Sequence, residues 1–366
     1  MRGFEQLRTL TQFAPYQLFR FAMDWNQQVK ESDLTKAVVE WEKRESGSLK
    51  GVLDAYTYIV TFLNERPTAR LSIDVIESIY KLCMPKLSDI FLGSAVRHGR
   101  QVQFHLTKEN TTKNGLLELI QETRESEVPL NRWFIDLSLS DEENLAGLMP
   151  RLRETGFLKI EYLGYDGPLT DTELDAIHIG TNDTALKSKH QQYITQEINR
   201  VLDLFYNEIF KLSSENKSAI LSSIVKLIQR LERIHPFYDG NCRTFCMVML
   251  NTLLIQHDFP LTLMDDPNKF DGYSVDELVQ LVKEGMDRTR ELVDVAQTQA
   301  RSSHASTFFS ATSANVTDKS QITTTAFKWT DVPEILIPKC LEYAKSLSEV
   351  LRIDISNSYK STSYNC

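Results

Sequence analysis

The chain has 366 residues, 42% of them hydrophobic and 25% charged, with a formal net charge of −9. That is length enough for one large or two modest domains with a substantial core, and the acidic balance argues against nucleic acid as a partner. Five scattered cysteines (Cys83, Cys242, Cys246, Cys340, Cys366) form no disulfide framework and point to a reducing compartment, no apolar run reaches the roughly 20 residues of a membrane span, and the opening Met1-Arg2-Gly3-Phe4-Glu5 lacks a signal peptide's apolar block.

Residues 1–84 read as helices. Leu18, Phe19, Phe21, Ala22 and Trp25 form one stripe, which Val38, Val39 and Trp41 continue; Gly47 and Gly51 bracket a break. Residues 52–63 make an apolar helix ended by Pro67. Residues 71–84 make another, with Ser72 as its cap and Ile73, Ile76, Ile79, Tyr80 and Cys83 inward. The period then changes: Val102, Phe104 and Leu106 alternate with Gln103 and His105, which predicts a strand, and Arg97-His98-Gly99-Arg100 before it predicts a turn. His105 alone carries no functional signal. Further on, 134–137 reads as a strand and 144–155 as a helix, and alternation at Leu158, Ile160 and Tyr162 predicts a strand leading into the turn 164–168.

A clean amphipathic helix over 193–210 precedes a second one, in which Ile220, Leu221, Ile224, Leu227, Ile228, Leu231 and Ile234 form the apolar face and Lys226, Gln229, Arg230, Glu232 and Arg233 the polar one. It stops at His235 because Pro236 excludes the helical conformation from the residue before it and cannot donate the next helical hydrogen bond. A helical apolar run resumes over 245–255, so Gly240-Asn241-Cys242-Arg243 stands at a helix start, where open amides and the dipole favour an anion and Arg243 adds a planar fork suited to phosphate. Asp239 would repel a bare phosphate but suits a divalent cation bridging phosphate oxygens, and His235 is then placed to take a proton from a nucleophile attacking that phosphate.

The string His-Pro-Phe-x-Asp-Gly-Asn-x-Arg over 235–243 resembles the signature of the Fic family, H-P-F-x-[D/E]-G-N-G-R-x-x-R, with seven of its nine named positions kept at unchanged spacing. The resemblance implies a mainly α fold: a Fic-type helical core with a β-hairpin flap (about 94–107) and a small α/β insertion (about 116–192), together forming a catalytic domain over 1–299. It implies an enzyme that moves AMP from ATP onto a Ser, Thr or Tyr hydroxyl of a target protein with Mg2+. His235 would be the base and Asp239 the magnesium ligand; Gly240, Asn241, Cys242 (through its amide) and Arg243 would bind the donor's phosphates, and Phe237 would pack inward to fix the loop. Cys242 stands where the family has its second glycine. Cys246 stands where it has the second arginine, which grips the last phosphate of ATP and docks the family's inhibitory glutamate.

No [S/T]-x-x-x-E-[G/N] helix carrying that glutamate occurs, since His105, Leu139, Lys211 and Gln280 precede the four Glu-Gly and Glu-Asn pairs. Loss of the arginine keeps open a diphosphate donor such as CDP-choline and transfer of phosphocholine. Two further readings are a Fic-shaped binding protein without catalysis and, ranked last, hydrolytic removal of AMP. By analogy with the family the chain works in a cytoplasm, or in that of a host cell as an injected effector acting on a host protein. Zinc is not expected at Cys242 and Cys246, which have no partner ligands nearby.

After the motif, 265–273 reads as an acidic, turn-rich loop, read first as solvated and in the alternative as lining the donor's base or the target, and Ser274 caps a helix over 275–298. Residues 300–327, rich in Ser and Thr, read as a linker, and 328–366 as a final helix (338–353) with a loose tail.

Overall fold

A computed structural model describes residues 2–23, 33–85, 96, 102–125, 135–162 and 184–309, with positions 342, 345 and 349. Trp25, residues 94–95 and 97–101 of the expected hairpin, the turn at 164–168 and the linker beyond 309 lie outside these residues; of the last segment, only positions 342, 345 and 349, all helical, lie inside.

The fold is mainly α. The N-terminal region supplies α1 (Arg2–Phe13), a 3-10 helix (Pro15–Ala22), α2 (Leu34–Arg44), α3 (Ser48–Glu65) and α4 (Ile73–Cys83). Next come β1 (Val102–Thr107), α5 (Lys113–Glu125), α6 (Asp141–Thr155) and β2 (Phe157–Tyr162). The remainder is helical: α7 (Thr184–Lys211), α8 (Lys217–Ile234), a π-helical stretch (Arg243–Met249) running into α9 (Leu250–Gln256), a 3-10 turn (Pro267–Phe270) and α10 (Val275–Phe309). The last helix thus carries through the first residues of the stretch read as linker.

The core forms around α8 and the segment after it. The Asn216 side chain caps α8 by accepting from the Ala219 amide at 3.2 Å, and the apolar stripe from Ile220 to Ile234 is buried along its length. Phe245, Val248, Met249, Leu250, Leu253 and Leu254 are fully buried, so this element touches neighbours on every side: α3, α4 and α8, with α1 reaching α9. Each such side chain contributes about 1.5–3 kcal/mol by leaving water. The π turn shifts the hydrogen-bond ladder, and the Met247 carbonyl accepts in addition from the Tyr56 hydroxyl at 3.0 Å and the Asn251 amide at 3.1 Å. Gly51 does not mark a break but lies within α3, where the Leu82 carbonyl comes too close to leave space for a Cβ. Ser72 occupies the N-cap position of α4 without making a side-chain cap bond.

A second, smaller apolar cluster gathers Leu106, Leu116, Ile120, Leu145, Leu152 and Leu158 from α5, α6 and the two strands. β1 pairs antiparallel with β2, fifty residues on, in the register Val102↔Tyr162 to Thr107↔Phe157, so the strand of the expected flap is joined to the insertion. Residues 135–137 depart from expectation and are not a strand. Asp136 folds back to accept from the Ser138 amide (2.8 Å) and hydroxyl (2.7 Å), while Asn144 clamps the Asp136 backbone from both ends, and this local bonding outcompetes a ladder. The helix read from 144 starts at Asp141, behind a Ser140–Glu143 capping box.

This layer is tied to the core by Arg233. Its guanidinium, 1% exposed, donates to Glu122 Oε2 (2.9 Å) on α5 and to the backbone carbonyls of Gly115, Asp271 and Tyr273. Val275 N also donates to Glu118.

Candidate active site

α8 ends as its sequence requires. His235 takes a left-handed conformation (φ 50°, ψ 56°) and its amide closes on the Glu232 carbonyl at 2.9 Å. A non-glycine residue held there stores strain, and it turns the chain sharply into Pro236 and Phe237. Phe237 is fully buried, stacked between Tyr80 (3.9 Å) and Phe245 (5.8 Å). Asn241 closes the loop over it: its side-chain oxygen accepts from Phe237 N at 3.0 Å and its NH2 donates to Phe237 O at 2.9 Å. The side chain of Asn241 is therefore spent on the loop, and what it offers a ligand is its backbone amide. Gly240 (φ 72°) must be glycine, since a Cβ would sit 2.5 Å from Met84. Thr244 N then bonds Gly240 O, so the amides just after Gly240 belong to a first helical turn, where no helical acceptor exists for them.

Arg243 is 4% exposed and fixed from the N-terminal region: Nη1 donates to Ser48 Oγ at 3.2 Å, Nη2 lies 3.3 Å from Glu45 Oε2, and the Trp41 ring is 5.9 Å away. Asp239, 62% exposed, stands 3.9 Å from Nη2 and accepts from its neighbour's amide at 2.7 Å.

These residues line a cavity of about 430 Å3 with Glu232, His235, Cys242, His105, Asn110, Asp266, Asn268 and Asp271. All seven residues singled out from sequence lie at or beside it. Phe237 supports it from beneath; the other six line it. Four partners went unrecognised. Glu232 reads as an outer-face residue in the pattern of α8, yet it is 3% exposed, with one carboxylate oxygen 3.9 Å from His235 Nδ1 and the other accepting from the Cys246 thiol at 3.6 Å. His105 comes in from β1, stacked at a tilt on Phe157 at 5.2 Å. Asp266 and Asp271 come from the stretch 265–273, which the structure corrects from a solvated loop: Pro267, Phe270 and Asp271 are buried, and the segment walls the cavity.

Charge inside the cavity is lopsided. Among the described residues that line it, Glu232, Asp239, Asp266 and Asp271 face one fixed cation, Arg243. Burial pushes the Asp271 carboxyl up to about 7, opposed by Arg233 and reinforced by Asp266, and its Oδ1 has no hydrogen-bond partner among the described residues. An unfolded aspartate ionises near 3.8, so the stability this carboxyl gives is fully present below that pH and is lost as pH rises through about 7. Asp271→Asn should therefore match the unaltered chain at pH 3.5 and melt higher at pH 8, read by thermal scans at both pH values.

No three His, Cys, Asp or Glu side chains among the described residues gather as a metal cage. The Asp239 carboxylate at the cavity mouth still fits magnesium in its usual manner, with one protein carboxylate and the remaining ligands from phosphate and water.

The sequence model of the Fic/DOC family matches residues 169–253. That segment, under a quarter of the chain, is similar to the Fic/DOC family. An 89-residue stretch is also 43% identical to part of the phosphocholine transferase AnkX of Legionella pneumophila subsp. pneumophila. That similarity covers 24% of this chain and 9% of AnkX. The Fic segment includes α8, the loop and most of α9, but not His105, Asp266 or Asp271, which complete the cavity from outside it, nor Glu45 and Ser48, which brace Arg243.

Proposed function

We propose that the chain transfers a phosphocholine-type group from a nucleoside-diphosphate donor such as CDP-choline onto a hydroxyl of a target protein. The observation that carries this reading is the environment of Cys246. Where the family signature has an arginine for a third phosphate, a buried thiol here bonds Glu232, and the cavity beside it is lined by Asp266 and Asp271. Carboxylates disfavour a terminal phosphate and attract a quaternary ammonium. AMP transfer from ATP, implied by the motif alone, finds no cation at that end among the described residues, and the named activity of AnkX agrees in kind.

In this reading the amides after Gly240 and the Arg243 guanidinium receive the diphosphate. Asp239 would hold a magnesium ion, which supplies charge neutralisation when bound. His235, with the Glu232 carboxylate 3.9 Å from its Nδ1, accepts the target hydroxyl's proton at Nε2 as the oxygen attacks the choline-bearing phosphorus and the bond to the nucleoside monophosphate breaks. Orientation and preorganised charge supply most of the rate.

Incubation of the full chain and candidate target proteins with magnesium and either CDP-choline or ATP, followed by intact mass, tests it. A phosphocholine increment with CDP-choline, accompanied by CMP release, is expected; an AMP increment with ATP and none with CDP-choline would overturn it.

A further inference from the structure

A second cavity, of about 270 Å3, opens beside the first, and Asp239 and Arg243 line both. Its other walls come from the N-terminal region: Arg44, Glu45, Ser46 and Ser48 at the α2–α3 junction, with Met84 and Pro85 after α4. This lining differs in kind from the acid-rich cavity. It offers an apolar floor, two hydroxyls, one carboxylate, and the Arg44 guanidinium, which lies 4.4 Å over the Trp41 ring.

We propose that this cavity is the subsite for the donor's nucleoside. The inference rests on the diphosphate reading of the 240–243 turn. A donor of that class has its diphosphate in the middle and unlike chemistry at its ends. With the diphosphate on Arg243, the cationic end is drawn to Glu232, Asp266 and Asp271, and the nucleoside end must leave past the other face of the same arginine. There Met84 and Pro85 give a base an apolar seat, Arg44 supplies a guanidinium plane for stacking, and Glu45, Ser46 and Ser48 offer acceptors to ribose hydroxyls.

Ser46 is exposed in the turn between helices, so Ser46→Trp fills the cavity with little threat to folding. Calorimetric titration in magnesium should show CMP and CDP-choline binding the unaltered chain more tightly than pyrophosphate does. In the variant, both nucleotides should weaken tenfold or more while pyrophosphate stays within twofold; Arg44→Ala should weaken the nucleotides severalfold with the same selectivity. Unchanged nucleotide affinity in Ser46→Trp would overturn the subsite, and so would equal weakening of pyrophosphate, because the effect would then lie at Arg243. If the unaltered chain binds neither pyrophosphate nor nucleotide, the diphosphate reading itself falls and the subsite with it.

Discussion

His235→Ala should lower the transfer rate by a factor of about 10²–10⁴, the usual contribution of a positioned proton acceptor, while the melting temperature moves little. The ring is only partly buried and sits at the cavity wall, so its removal opens no void in the core. The backbone needs a control, because residue 235 holds φ 50° and alanine tolerates that region less well than histidine. His235→Asn supplies it: asparagine accepts the left-handed conformation yet cannot take a proton at neutral pH. Both variants should lose turnover alike and should still bind CDP-choline with magnesium at near-normal affinity. Retained turnover in the asparagine variant would remove the imidazole from the chemistry.

The largest stability effect is expected at Arg233. Arg233→Ala strips a fully buried guanidinium from Glu122 and from three backbone carbonyls at once. Breaking a buried pair from one side costs about 3–5 kcal/mol, and most of that is the uncompensated partner. A fall in melting temperature of roughly 5–10 °C should follow. One of those carbonyls is that of Asp271 in the cavity wall, so donor affinity should fall as well, in contrast to the alanine variant at 235. A double-mutant cycle with Glu122→Gln separates the pair from the carbonyls: the double variant should be less destabilised than the sum of the two single ones. Strict additivity would place the whole effect on the backbone contacts.

What could be read from the residues, and what could not, divides along a physical line. The turn at 235–243 was legible because its conformation is enforced locally: a proline ends one helix, a glycine takes the left-handed region, and an apolar run starts the next helix. The inward packing of Phe237 was legible only through the resemblance to the Fic signature. Glu232 and Arg233 were misjudged because helical periodicity separates apolar from polar faces but does not say whether the polar face meets water, a cavity or another layer. Here it meets all of these: Arg233 docks a second subdomain, Glu232 faces the cavity, and Lys226 is exposed. The pairing of β1 with β2 was invisible because strand alternation names a face and never a partner. The wall over 265–273 looked solvated because its aspartates and turn residues are those of any exposed loop, and Phe270, its buried anchor, is a single apolar residue with no period around it.

The division of the cavity between the Fic segment and the rest of the chain bears on how such proteins diversify. The imidazole, the tight turn and Arg243 all lie within 169–253, whereas Asp271, His105 and the side chains bracing Arg243 do not. In the proposed reading, proton transfer and choice of donor thus rest on separate stretches of the chain. Substitutions in the flanks would then change the group accepted without touching the residues that move the proton.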